Sequence, residues 1–144
     1  MTDRRTRILT DDRGFTIVEL LVVILVIGIL TMIALPAFLS QRAKGEDVEA
    51  QFTVRTAVTA LVTYQTERDS FDATRAQLLE LEPSLDEARN LELSGDANTF
   101  SITETSNTGT TFTYVRNASG ETARTCSHHG HGGCRSNAVA GQWW

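Results

Sequence analysis

Residues 14–39 read GFTIVELLVVILVIGILTMIALPAFL, and the rest of the chain is organised around this stretch. From Phe15 to Leu39 it holds 25 residues with a single charge, Glu19. A hydrocarbon core ~30 Å thick needs ~20 apolar residues as helix, so the run is long enough to span with some tilt. Helix also lets a lone segment satisfy its own backbone in lipid. Glu19 is out of place for spanning alone, because a carboxylate at the bilayer centre costs about 2.5–3.5 kcal/mol, and less near a helix end. It asks for a partner. A cut between Gly14 and Phe15 would create an α-amino group, positively charged at neutral pH, able to neutralise Glu19 of its own chain or of a neighbour.

The order basic leader, Gly14, Phe15, Thr16, then Glu19 five places after the glycine, then a long apolar helix with Pro36, resembles the type IV pilin and pseudopilin family. The resemblance covers residues 4–40 closely and the remainder only in architecture. It implies cleavage after Gly14 by a prepilin peptidase, N-methylation of Phe15, and a role for Glu19 in guiding subunits into a helical fibre. It also implies, as partners, further copies of the chain, the pilus assembly platform and minor pilins. The bland alternative is an ordinary single-pass anchor with a stray glutamate.

The leader, residues 1–14, carries Arg4, Arg5, Arg7 and Arg13, against Arg42 and Lys44 on the other flank. Positive charge is retained on the cytoplasmic side, so the N-terminus is expected in the cytoplasm and the rest outside, first in the cytoplasmic membrane and then in an extracellular filament. A cleaved secretory signal is the rival reading, but its apolar core would be about 7–15 residues with the cut after it, whereas here the best cut precedes the run. Four arginines against three aspartates in the leader mean that its removal takes the net charge from −5 to −6. A mildly acidic chain predicts no specific nucleic-acid partner.

Within residues 15–39, Pro36 removes one helical hydrogen bond and crowds the turn before it, so a kink or loosened turn is expected there. Residues 40–67 continue as an amphipathic half: Ala50, Val54, Ala57, Leu61 and Tyr64 recur at helical steps, with Val58 and Val62 widening the stripe. A helix running to about Thr66 would be about 78 Å long, so its first half is expected to project. Residues 68–89 read as a connector. Asp72 or Thr74 caps a short helix ending before Pro83, with Leu78, Leu79 and Leu81 as its apolar contacts, and Ser84 to Arg89 suits another turn.

Residues 90–126 carry alternating segments between turn residues: Leu91–Leu93, Thr99–Thr105, Thr110–Arg116 and Glu121–Cys126. Short links favour an antiparallel meander. The expected fold class is α+β, a long N-terminal helix packed on a small antiparallel sheet, as the family resemblance also implies. Asn117-Ala118-Ser119 matches a glycosylation acceptor, but a turn role fits its surroundings better.

Residues 127–144 form the C-terminal loop and tail. Cys126 and Cys134 are the only cysteines, and the expected topology puts them where oxidation is possible. Pilins often staple this region with a disulfide; here it would close a nine-residue loop, worth up to about 2.6 kcal/mol. His128, His129 and His131 lie inside the loop and are weak candidates for zinc or copper if the thiols stayed reduced. A solvated disulfide loop is preferred, with no metal and no cofactor. Trp143 and Trp144 are expected in the core, or else in an exposed patch for neighbours.

The first functional reading is a structural filament subunit, a prepilin. Its alternatives are a pseudopilin of a type II secretion system and a membrane-anchored extracellular binding or metal-sensing module. No nucleophile, base and orienting group can be assembled, so an enzyme is not expected.

Overall fold

A computed structural model describes residues 14–88, 90–136 and 142–144. The leader arginines, Arg89 and residues 137–141 lie outside the described residues. The chain divides into two units, Met1–Phe38 and Leu39–Trp144. In the first, α1 begins at Ile17, two residues after the expected start. Every described residue of this unit is exposed.

In the second unit α1 continues to Arg68, and Asp69 terminates it in a left-handed conformation, φ 55°. The buried positions of α1 are Asp47, Ala50, Val54, Ala57, Ala60 and Leu61. Three of the six are alanine, which lets neighbouring backbone approach closely. Val62 departs from the expected stripe, 44 % exposed, because position 62 falls on the flank of the 47–50–54–57–61 line. Tyr64 and Val58 are partly buried against the core.

Thr74 caps the helix α2, Arg75–Leu81. The Gln77 side chain accepts from Thr74 N at 2.8 Å while Gln77 N donates to Thr74 Oγ1 at 3.4 Å, a capping box that stabilises the helix start by about 1 kcal/mol. Leu78 is fully buried, whereas Leu81 is 37 % exposed rather than a core contact. A 3₁₀ turn follows at Pro83–Glu87.

Four strands then form an antiparallel meander in sequence order: β1 Glu92–Gly95, β2 Phe100–Thr105, β3 Thr111–Arg116 and β4 Thr122–Cys126. β1 begins one residue and ends two residues after its expected segment, Leu91–Leu93; Leu91 is buried just ahead of it. The register sets Ile102 opposite Tyr114 and Glu104 opposite Phe112, and Phe112 opposite Cys126. Alternation therefore gives one face to Phe100, Ile102 and Phe112, all buried, and the other to Ser101, Thr103, Thr113 and Thr125. Leu78, Leu85, Ile102, Phe112 and Val54 are buried essentially completely, each worth about 1.5–3 kcal/mol of transfer free energy. Trp144 completes this core: its ring meets Phe112 edge-on at 6.0 Å, and its Nε1 donates to Thr125 O at 2.9 Å.

Candidate functional site

The N-terminal site is built on the first turn of α1. Gly14 is exposed, with no atom within 4 Å of where a Cβ would sit, and Phe15 is 82 % exposed. Thr16 N and Thr16 Oγ1 donate to Glu19 Oε2 at 3.0 and 2.8 Å, and Glu19 N donates to Thr16 Oγ1 at 3.2 Å. This reciprocal pattern is a capping box. Besides the expected α-amino group of its own chain or a neighbour's, Glu19 has a partner in its own first turn: Thr-x-x-Glu before an apolar run is legible as such a box, and Thr16 satisfies one of its oxygens. The other oxygen has no hydrogen-bond partner among the described residues.

Around Glu19 the surface is apolar: Ile17, Val18, Leu20 and Ile24 are each at least 59 % exposed. Among the described residues α1 is the one helix long and apolar enough to cross a membrane, with a mean hydropathy of 3.0 over its best 18-residue window. Pro36 lies inside α1, which continues through it. Gly28 also lies within α1 with open space beside it.

A second cluster sits at the C-terminal loop. The sulfurs of Cys126 and Cys134 are bonded to one another, so neither is a thiolate able to bind metal. Cys126, His129 and Cys134 are the one group of potential ligands that converges among the described residues, and the disulfide leaves it a single imidazole. His129 instead stacks on Trp143 at 4.1 Å. His128 Nδ1 lies 2.9 Å from Ser127 Oγ, and His131 is exposed.

The loop is fastened to α1 by Asp47, which stands among the polar residues 40–49. Asp47 is 1 % exposed. Its Oδ1 accepts from Ser106 Oγ at 2.7 Å and Thr108 Oγ1 at 2.6 Å, and its Oδ2 from Gly133 N at 2.9 Å. Gln51 Nε2 donates to Gly133 O at 3.0 Å. The carboxylate thus joins the β2–β3 turn to the disulfide loop. Asp47 stands three residues before Ala50 in the phase of the apolar stripe, and that phase is the signal that could have revealed it.

Residues 9–35 match the family described as the prokaryotic N-terminal methylation motif. The chain is 35 % identical over 68 residues to the type IV major pilin protein PilA of Myxococcus xanthus, an alignment covering 47 % of this chain and 31 % of that relative. It is 32 % identical over 71 residues to the type IV wide pilus major component PilA4 of Thermus thermophilus, covering 49 % of this chain and 54 % of that relative. The matches thus span about half or less of each relative's length. The chain thus carries the methylation motif at the start of a long apolar helix with a helix-and-sheet unit after it, and over about half its length it is similar to two type IV pilus major components.

Proposed function

We propose that the chain is a prepilin, the structural subunit of a type IV filament, rather than an enzyme. In this reading a prepilin peptidase cuts between Gly14 and Phe15, the new amine of Phe15 is methylated, and the helix that follows joins the filament core. The observation that carries it is the methylation motif across residues 9–35, on which Gly14, Phe15 and Glu19 stand at the family's spacing. The two relatives, both named as major pilus components, support a role in the body of the fibre. Before assembly the subunit rests in the cytoplasmic membrane with its N-terminus inside; afterwards it is part of an extracellular filament, placed there by the assembly platform together with minor pilins.

Assembly turns on charge. Cleavage leaves a cation at Phe15, and Glu19 of an adjacent copy supplies the anion inside lipid, where a low dielectric strengthens the attraction. The capping box complicates the usual alanine test, because Glu19→Ala removes the charge and the cap together. Glu19→Gln separates them, since glutamine can still close the box. Filament yield from E19Q should fall at least tenfold while membrane insertion persists. Wild-type yield from E19Q would show that capping, and not charge, is what Glu19 supplies.

A further inference from the structure

Beside α1 the second unit holds a cavity of about 530 Å³, lined on one side by Glu49 and Phe52 and on the other by Glu87 and Glu104. Among the described residues no lysine or arginine lines it. Glu104 is 7 % exposed, and its Oε2 is buried without a hydrogen-bond partner. Arg75 lends it some positive charge, but the Arg75 guanidinium is committed to the carbonyl oxygens of Leu85 and Ala88. Among the described residues, which do not include Arg89 between Ala88 and Asn90, this carboxylate has no counter-ion of its own, and a buried carboxylate is costly unless paired. The carboxylates here are too dispersed to form a preorganised metal site, since the only tight group of potential ligands among the described residues is at the disulfide loop. Dispersed carboxylates suit a long flexible cation.

The chain supplies one. Lys44 is its only lysine, exposed and without a salt bridge among the described residues. Most of the other described cations are engaged: Arg42 with Glu46, Arg55 and Arg124 over Trp144, Arg68 over Tyr64 and Arg116 over Phe71. Lys44 precedes Glu49 by five residues on the same helix, so a parallel copy displaced by about 7.5 Å along the helix axis presents its Lys44 at the level of Glu49. Phe52, 67 % exposed at the cavity edge, gives the aliphatic stem of the lysine an apolar surface to lie on.

We propose that this acidic cavity is a socket for Lys44 of an adjacent copy of the chain, an inference that rests on the filament reading above. The test uses the single lysine. Filaments grown from a mixture of isotopically labelled and unlabelled full-length chains are treated with a zero-length carbodiimide, which joins an amine to a carboxylate in contact with it. Peptides linking Lys44 of one isotope to Glu49 or Glu87 of the other are expected. Lys44→Glu should lower filament yield at least tenfold, Lys44→Arg should preserve it, and Glu49→Lys added to Lys44→Glu should restore most of it. Lys44 coupled only to carboxylates outside the cavity, or uncoupled in intact filaments, overturns the socket and leaves the filament reading standing. Failure of the wild-type chain to enter any filament overturns the reading beneath it, and the socket with it.

Discussion

Helix α1 carries two acids of opposite circumstance. Glu19 sits among exposed apolar side chains and, among the described residues, is held by Thr16 alone; Asp47 is buried and accepts three hydrogen bonds, from Ser106, Thr108 and Gly133. Both would be expensive to bury unpaired. Asp47 is satisfied by its own chain from residues far along the sequence, so its work is to hold the second unit together. Glu19 is satisfied only by its own first turn, which leaves its charge available to a partner from outside. Placement of the compensating group therefore separates a structural carboxylate from one for which assembly is proposed, although the two share one helix.

The sharpest way to break this comparison is Asp47→Ala. It takes away the acceptor of the Gly133 amide and leaves the Ser106 and Thr108 hydroxyls only each other and Thr110 Oγ1, and a buried unsatisfied group costs about 1–3 kcal/mol. A loss of about 3 kcal/mol is expected in denaturant unfolding of the detergent-solubilised chain followed by tryptophan fluorescence, with membrane insertion unchanged. A loss below about 0.5 kcal/mol would mean that the turn and the loop hold their places without it.

Next is Cys126→Ser with Cys134→Ser. The bond closes a short loop, and its removal should cost up to about 2.6 kcal/mol. Because Asp47 holds the same loop through Gly133, the loss in the Asp47→Ala background should differ from the loss in the wild type; strict additivity would show that the two ties are independent.

A smaller effect separates two glycines. Both Gly109, φ 84°, and Gly132, φ 55°, are left-handed, where a side chain costs about 1–2 kcal/mol. Around Gly109 there is open space, whereas a Cβ on Gly132 would overlap Asp47 Oδ2. Gly132→Ala should therefore destabilise more than Gly109→Ala, and equal thermal shifts would deny Asp47 its place against the loop.

The smallest effect is in pH. Burial pushes the Glu104 carboxyl above its ordinary value of 4.5, against the Asn90 amide and the Arg75 charge. A raised carboxyl pKa means the folded chain binds the proton more tightly than the unfolded one, so stability falls as pH rises from 4.5 through the folded value. Hydrogen bonds from Asn98 and Thr99 lower Asp96, and those from Asn117 and Ser119 lower Glu121, giving contributions of the opposite sign that are lost on acidification. Glu104→Gln should remove the first slope alone. A stability profile unchanged between pH 4 and 7 in that variant would contradict the burial of its charge.

Much of this was readable in the chain. The stripe at 50, 54, 57 and 61 identified the buried face of α1, and turn residues at 95–98, 107–109 and 117–120 divided the four strands. Phe100, Ile102 and Phe112 fell on the buried face because alternation is strict in strands. What was missed depended on residues distant in sequence. Asp47 looked like one more surface acid because its three donors lie at 106, 108 and 133, and Val62 looked buried because stripe width cannot be read without knowing how much of the helix the sheet covers. Among the N-terminal residues, the spacing of Gly14, Phe15 and Glu19 pointed to the motif matched over residues 9–35, and the local Thr16 to Glu19 box was overlooked.

The central claim is that this chain becomes an assembly subunit by losing its leader and exposing a cation at Phe15. Intact-mass and N-terminal sequencing of protein extracted from the membranes of cells expressing it tests that most directly. A chain beginning at Phe15, about 14 Da heavier than the unmodified mature sequence because of one methyl group on its amine, is the predicted result. A chain that retains residues 1–14 would contradict the account.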